Sequence, residues 1–322
     1  MPDDQTSLPY AASAAAASAP PPIPPVTGAT QDRTGLAILL MCATSLIFAF
    51  QDMFSRMLGG EYPAIVIVMI RYWVFALFVI AMVSRQPGGL RRAVRTKRPV
   101  MQALRGALLV IETVLMVEAF VRLGLVGTHA IFTVYPLLVA ALSGPVLGEK
   151  VGWRRWAAIS VGFVGILIIL RPGSAVLDLG ALLALISALL FAVYGLMTRL
   201  VSRDDPASVS FFWTGVSGAV TVTVLGIWHW EWLAPGDWIW MGLLCICGLL
   251  SHYLLIRAYE LAEASALQPF AYTQLVWVSF IGVLVFGEVL HMNVVIGAVI
   301  VVAAGLFTLW RARVKAVGKG RT

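Results

Sequence analysis

Arg71 and Glu112 are the two residues of this sequence that most need a chemical reason. Each lies near the middle of a long apolar run, where a charge is costly unless it is paired or functional. The two runs are consecutive and therefore antiparallel, so the side chains come to similar depth. Two readings stay open. In one, they form a buried ion pair that neutralises both charges and fixes helix register. In the other, Arg71 greets an anionic part of a solute while Glu112 gains and loses a proton during a transport cycle. Arg105 and Glu118 share the Glu112 run. Arg105 lies a turn from its end, where a long side chain can snorkel to the interface.

The other polar positions inside apolar runs are Gln51, Asp52, His129, Tyr135, His252, Gln268, Tyr272 and Gln274. Taken singly, each reads as hydrogen-bonding glue between helices. Gathered on one cavity, with Trp73, Phe132, Trp213 and Trp277 near them in sequence, they suit a flat or amphipathic solute. Pro136 and Pro269 fall within the same runs as His129 and Gln274. Proline frees a backbone carbonyl, which is tolerated at membrane depth where helices line a cavity. Gly148-Glu149 and Gly287-Glu288 close those two runs, and each glutamate is expected to cap or pin the break into the next helix.

These side chains need helices that live in lipid. Of 322 residues, 60% are hydrophobic and 12% charged, and the mean hydropathy is +0.90. That leaves too little polar surface to cover a water-soluble body of this size. The apolar runs approach the roughly 20 residues that a helix needs to cross a bilayer and lack the alternation of a barrel strand. The fold class is all-α integral membrane. The predicted spans are 35–56, 62–84, 101–122, 127–148, 153–171, 178–199, 207–229, 237–257, 265–287 and 291–311. With a cytoplasmic amino terminus, the inside segments take Arg33, the Arg85–Arg98 cluster, Lys150, Arg154, Arg155, Arg199, Arg203 and the basic end, and the outside keeps Arg56, Arg122 and Arg171. That bias is the positive-inside pattern. The net charge of +7 then belongs to the anionic inner leaflet and requires no nucleic acid.

The chain also repeats itself. Ala119-Phe120 is echoed by Ala258-Tyr259, Gly148-Glu149 by Gly287-Glu288, and Phe48-Ala49 more loosely by Phe191-Ala192. Ten spans then fall into two five-helix repeats, 34–172 and 173–312, and an odd number per copy inverts the second relative to the first. A disordered Ala- and Pro-rich tail is expected over 1–33 and a basic cytoplasmic tail over 313–322. Cys42, Cys245 and Cys247 read as small packing residues, and the pairs Gly144/Gly148, Gly162/Gly165 and Gly215/Gly218 as close helix contacts. No metal site and no cofactor is indicated. An integral membrane enzyme acting on a lipid would need an acidic cluster or a histidine-carboxylate site, and the adjacent pair Asp204-Asp205 before Pro206 reads as a turn. HExxH, GxSxG and P-loop patterns do not occur, so the chain is not expected to be an enzyme. A passive channel would differ from a carrier in showing no saturation or counterflow.

Tyr135-Pro136, Gly148-Glu149 and Gly162 to Arg171, with Gln274 to Val276, Gly287-Glu288 and Gly297 to Gly305 in the second copy, resemble the EamA-type members of the drug/metabolite transporter superfamily. The likeness covers about residues 35–311. It implies a ten-helix carrier with both termini cytoplasmic, a central cavity between inverted halves and a small organic solute. Members handle amino acids, nucleotide-related metabolites, S-adenosylmethionine, riboflavin and drugs. The sequence is similar to bacterial riboflavin-uptake members. The resemblance therefore implies uptake of a flat heteroaromatic vitamin such as riboflavin across the bacterial cytoplasmic membrane, with an amino-acid, metabolite or drug exporter as the alternative. Leu275 stands where the first copy has Pro136, so the two gates need not be equivalent. Proton coupling and the choice between monomer and homodimer are open at this level.

Overall fold

The structure is a computed structural model that describes residues 29–147, 152–170, 178–201, 204–261, 267, 270 and 272–319. Those residues form α1 (Ala29–Gly59), α2 (Ala64–Ser84), α3 (Gly89–Val94), α4 (Pro99–Phe132), α5 (Tyr135–Leu147), α6 (Trp153–Leu170), α7 (Leu179–Val201), α8 (Ala207–Gly226), a 3-10 turn over Ile227–His229, α9 (Asp237–Leu261), α10 (Thr273–Phe286) and α11 (Met292–Lys319), with no strand among them. Gly35–Gly59, Ala64–Ser84, Leu179–Val201, Ser208–His229 and Asp237–Leu255 are long and apolar enough to cross a membrane.

Several boundaries differ from the sequence reading, each for a local reason. Residues 29–33 are helical rather than part of the tail, and α11 runs to Lys319 past the expected end at 311. The short helix α3 was not expected; it starts at Gly89 directly after Gly88, both at positive φ. The loop expected between residues 122 and 127 is a single residue, Gly124, at φ 84° and ψ 170° within α4. Only glycine adopts that conformation readily, so one residue turns the chain from the first arm of α4 into the second. The second arm stops at Phe132, and α5 restarts at Tyr135 with Pro136 as its second residue. Proline costs little there, because the first-turn N–H groups have no partner inside a helix.

Packing follows a simple rule. α1 lies on α9 and α10, while α7 lies on α4 and α5; α2 pairs with α8, and α6 with α11; α4 meets α8 as α2 meets α9. At the α6–α11 crossing the backbones touch: a Cβ on Gly165 would lie 2.9 Å from the Gly297 carbonyl oxygen. Facing small residues permit that approach, which gives helices their van der Waals attraction where lipid removes the hydrophobic drive. Trp228 and Trp232 are 86% and 74% exposed at the α8–α9 junction, and Trp230 stacks on Trp73 at 5.5 Å. Amphipathic rings of this kind settle at a bilayer interface.

The turn between α7 and α8 is an anchor. Asp204 pairs with Arg98 at 2.8 Å, and the buried Asp205 accepts from Thr96 Oγ1, from the Lys97 N–H at 3.4 Å and from Gln102 Nε2 at 2.9 Å. Burial pulls the Asp205 carboxyl upward, yet those donors outweigh it and hold it below the usual carboxylate range. A depressed folded value contributes stability that is present above the unfolded value, about 3.9, and lost as pH falls through the folded one. The unfolding midpoint of detergent-solubilised protein should therefore drop more steeply below about pH 4 in wild type than in Asp205→Asn. Parallel curves for the two proteins would contradict this role.

Candidate functional site

Three helices meet around one carboxylate. Asp52 on α1 accepts from Gln274 Nε2 on α10 at 2.9 Å, and its Oδ2 lies 3.0 Å from Nε2 of His129 on the second arm of α4. Both Asp52 and His129 are buried. The imidazole stacks on Phe120 at 5.3 Å and meets Phe132 edge-on. From there aromatic rings run inward: Phe132 to Tyr135 at 5.2 Å, Tyr135 to Phe191 at 5.0 Å and Phe191 to Tyr194 at 5.8 Å. Gln274 reaches this place because Val278 and Ile281, one and two turns on, form the buried stripe of α10.

Arg71 stands in a second polar group on the other side of α1. A Cβ on Gly248 of α9 would lie 3.2 Å from Gln51 Oε1 and 3.6 Å from Arg71 Nε. The missing side chain is what lets these two groups converge. Gln51 Oε1 is buried without a hydrogen-bond partner among the described residues. His252 faces the Gly248 carbonyl through Nδ1 at 2.7 Å and meets Phe48 edge-on at 5.3 Å. Glu112 is buried and has Thr113 Oγ1 at 3.4 Å. No carboxylate among the described residues lies within 4.0 Å of Arg71, so the ion-pair reading of Arg71 and Glu112 does not describe this structure. Arg71 Nε and Gln51 Oε1 instead converge beside Gly248.

A third group lies at the C-terminal end of α1. Glu288 accepts from the N–H groups of Leu125 at 2.8 Å and Val126 at 2.9 Å and pairs with Arg56, whose guanidinium lies 3.9 Å over Phe286. Gly287 at φ 65° ends α10 and folds Glu288 back, its N–H reaching the Gly282 carbonyl at 2.9 Å. Glu288 therefore does cap a helix, but the helix is the second arm of α4 rather than the one that follows it.

The remaining sequence candidates separate. Tyr272 turns away from the site and packs against Gly305 of α11, and Trp277 lies with Phe280 and Leu284 on the exposed face of α10. Trp73 donates to Thr223 at 2.7 Å on the outside of α2. Gln268, Pro269, Gly148 and Glu149 lie outside the described residues. Arg105 does not snorkel. It is 2% exposed and is held by neutral acceptors from α4, α7 and α8. Phe191 and Tyr194 were not singled out from sequence, although the repeat pairs Phe191 with Phe48, and both phenylalanines face polar groups. Among the described residues no group of three or more His, Cys, Asp or Glu side chains could hold a metal ion.

The model of the EamA-like transporter family matches residues 35–171 and again residues 178–310. The chain belongs to the EamA-like transporter family. Among similar members, an S-adenosylmethionine uptake transporter of Rickettsia prowazekii is 24% identical over 276 residues, 84% of this chain and 90% of that protein. A riboflavin transporter of Vibrio cholerae is 27% identical over 85% of this chain and 93% of its own length. A riboflavin transporter of Brucella anthropi is 29% identical over 78% and 90%. A solved crystal structure aligns with 88% of this chain and 98% of its own at a TM-score of 0.57 and 16% identity, a likeness of fold alone. Together with the apolar helices, family membership makes this a multi-pass membrane protein that transports small molecules.

Proposed function

We propose that this EamA-family chain is a secondary transporter that moves a flat heteroaromatic metabolite, riboflavin or a solute like it, into the cell across the bacterial cytoplasmic membrane by alternating access. The reading has ten spans in two inverted repeats, 34–172 and 173–312, with both termini cytoplasmic. The observation that carries it is the contact pattern. Exchange α1 for α7, α2 for α8, the first arm of α4 for α9, the second arm with α5 for α10, and α6 for α11, and the principal contacts correspond: α1 on α9 becomes α7 on α4, α1 on α10 becomes α7 on α5, α2 on α9 becomes α8 on α4, and the α2–α8 and α6–α11 pairs map onto themselves. A packing that survives this exchange can open on either face at similar cost, as alternating access requires.

The solute faces the aromatic line Phe132–Tyr135–Phe191–Tyr194 with its ring system and meets Arg71 and Gln51 with its polar end. Stacking rings and a few convergent polar groups are the common makeup of such a site. Riboflavin transporters and S-adenosylmethionine uptake transporters among the relatives support a fused-ring solute over the exporter alternative. Purified protein in proteoliposomes should take up riboflavin saturably and show counterflow; flux that rises linearly without counterflow would make the protein a channel. Arg71→Gln removes a charge-assisted hydrogen bond and should raise the half-saturating concentration about tenfold, with the unfolding midpoint unchanged. An unaltered half-saturation value would remove Arg71 from the site.

A further inference from the structure

We propose that α3 is an interfacial anchor that binds anionic phospholipids, with Leu90 and Val94 set against acyl chains and Arg91 and Arg95 against headgroup phosphates. It requires only that the chain spans a membrane, and it is independent of which solute the protein carries.

The charge around α3 is unbalanced. No Asp or Glu occurs between Glu61 and Glu112, while Arg85, Arg91, Arg92, Arg95, Lys97 and Arg98 all lie in that interval. Asp204 engages Arg98 at 2.8 Å and Lys97 at 4.0 Å, and Asp205 is taken up by Thr96 and Gln102. Arg85, Arg91, Arg92 and Arg95 have no carboxylate within 4.0 Å among the described residues. All of them are exposed, so the patch keeps positive charge that these residues do not neutralise. An anionic membrane surface supplies the missing charge.

Shape assigns that surface to lipid. Successive residues of a helix are turned by about 100°, which puts Leu90, Ala93 and Val94 on one face of α3 and Arg91, Arg92 and Arg95 on the other. Ala93 is buried with Val79 and Val83 of α2 and Phe212 of α8, and this contact fixes the roll of the helix. Leu90 and Val94 are left 43% and 51% exposed beside it. α2 is long and apolar enough to cross the membrane, exposes Leu77 and Ile80 and ends at Ser84, so α3 lies just past the end of a lipid-facing helix. An apolar edge next to a basic face, at such a place, is the build of a helix lying in the bilayer interface. The other end of the same helix pair supplies the contrast. α2 and α8 are antiparallel: a Cβ on Gly215 would lie 2.9 Å from Val79, and one on Gly226 2.8 Å from Ile65. α3 follows α2 at one end, and Trp228, Trp230 and Trp232 follow α8 at the other, in a stretch, 227–236, without Lys or Arg. Neutral rings anchor that end whatever the headgroup. Arginines at the α3 end add a preference for lipids of net negative charge.

The test uses the full-length protein and no solute. Photoreactive benzoylphenylalanine replaces Leu90, the protein is placed in vesicles of equal phosphatidylglycerol and phosphatidylcholine, and the lipid adducts formed on irradiation are identified by mass spectrometry. Adducts to phosphatidylglycerol should outnumber those to phosphatidylcholine at least about threefold. That excess should vanish in Arg91→Gln/Arg95→Gln, and also at about 1 M salt, where the screening length falls to about 3 Å. The same probe in place of Trp228 should show no preference. Both positions are exposed, and a monodisperse protein with a wild-type unfolding midpoint confirms that the fold survives. Equal adducts to the two lipids at residue 90, or an excess that the double variant keeps, overturn the headgroup assignment. Absence of any lipid adduct there overturns the anchor itself. Riboflavin flux enters none of these readings, so failure of the transport proposal and failure of this one are distinguishable.

Discussion

Arg105→Ala should destabilise the protein by about 4 kcal/mol, the largest loss expected from any single substitution here. The guanidinium donates to Gln102 Oε1 through Nε at 3.2 Å and Nη2 at 2.9 Å, to the Ser210 carbonyl at 2.5 Å, to Thr214 at 2.7 Å, and through Nη1 to Tyr194 and Thr198, each at 3.2 Å. Every N–H therefore has an acceptor, and the ring of Tyr194 lies 5.3 Å from the cation. The balancing negative charge sits one residue away, since Gln102 Nε2 donates to Asp205. Removing the side chain leaves buried oxygens on three helices without donors, at roughly 1–3 kcal/mol for each one that water cannot reach. Lysine does not rescue. Its compact ammonium cannot span the two rows of acceptors that the planar fork reaches, so Arg105→Lys should still lose about 2 kcal/mol. Denaturant titration of the detergent-solubilised variants measures both; a lysine variant as stable as wild type would show that charge alone matters.

Gly124→Ala comes next, with an expected loss of about 3 kcal/mol. At φ 84° and ψ 170° any side chain strains the backbone by roughly 1–3 kcal/mol. The new methyl would also lie 2.8 Å from the Glu288 carboxyl. Glu288 must then withdraw from the Leu125 and Val126 N–H groups and from Arg56. Strain and lost capping act together, so Gly124→Ala and Glu288→Ala should be strongly non-additive when combined. The double variant is expected to be more stable than the sum of the two losses implies by about 1 kcal/mol or more. Strict additivity would mean that the glycine matters only for its backbone angle. Because this contact ties the end of α10 to the C-terminal end of α1 and to α4, either variant should also raise the labelling rate of a cysteine placed at the C-terminal end of α1.

Hydrophobic length and charge distribution were enough to place nearly every helix, because a chain in lipid must satisfy its own backbone and only helices of bilayer length can do so. The repeat was legible too, through Gly-Glu at two matched positions, as were Asp52, His129 and Gln274 as single oddities at depth. What sequence could not assign was partnership. Arg71 and Glu112 are at matching depth, yet depth does not fix the rotation of either helix, and the structure leaves them unpaired. Arg105 sat near a helix end and read as a snorkelling side chain, but α7 and α8 cross there and supply four hydrogen bonds that no local pattern announces.

Periodicity and composition are properties of short segments, so the sequence alone determined solvent, helix positions and the duplicated plan. Tertiary structure decided which polar groups meet. Asp52 is separated from His129 by 77 residues and from Gln274 by 222, and only the crossing of α1 with α4 and α10 brings the three together. The physical reason is that a buried hydrogen bond demands about 3 Å and a set direction, a precision that comes from packed backbones and not from the spacing of letters along a chain.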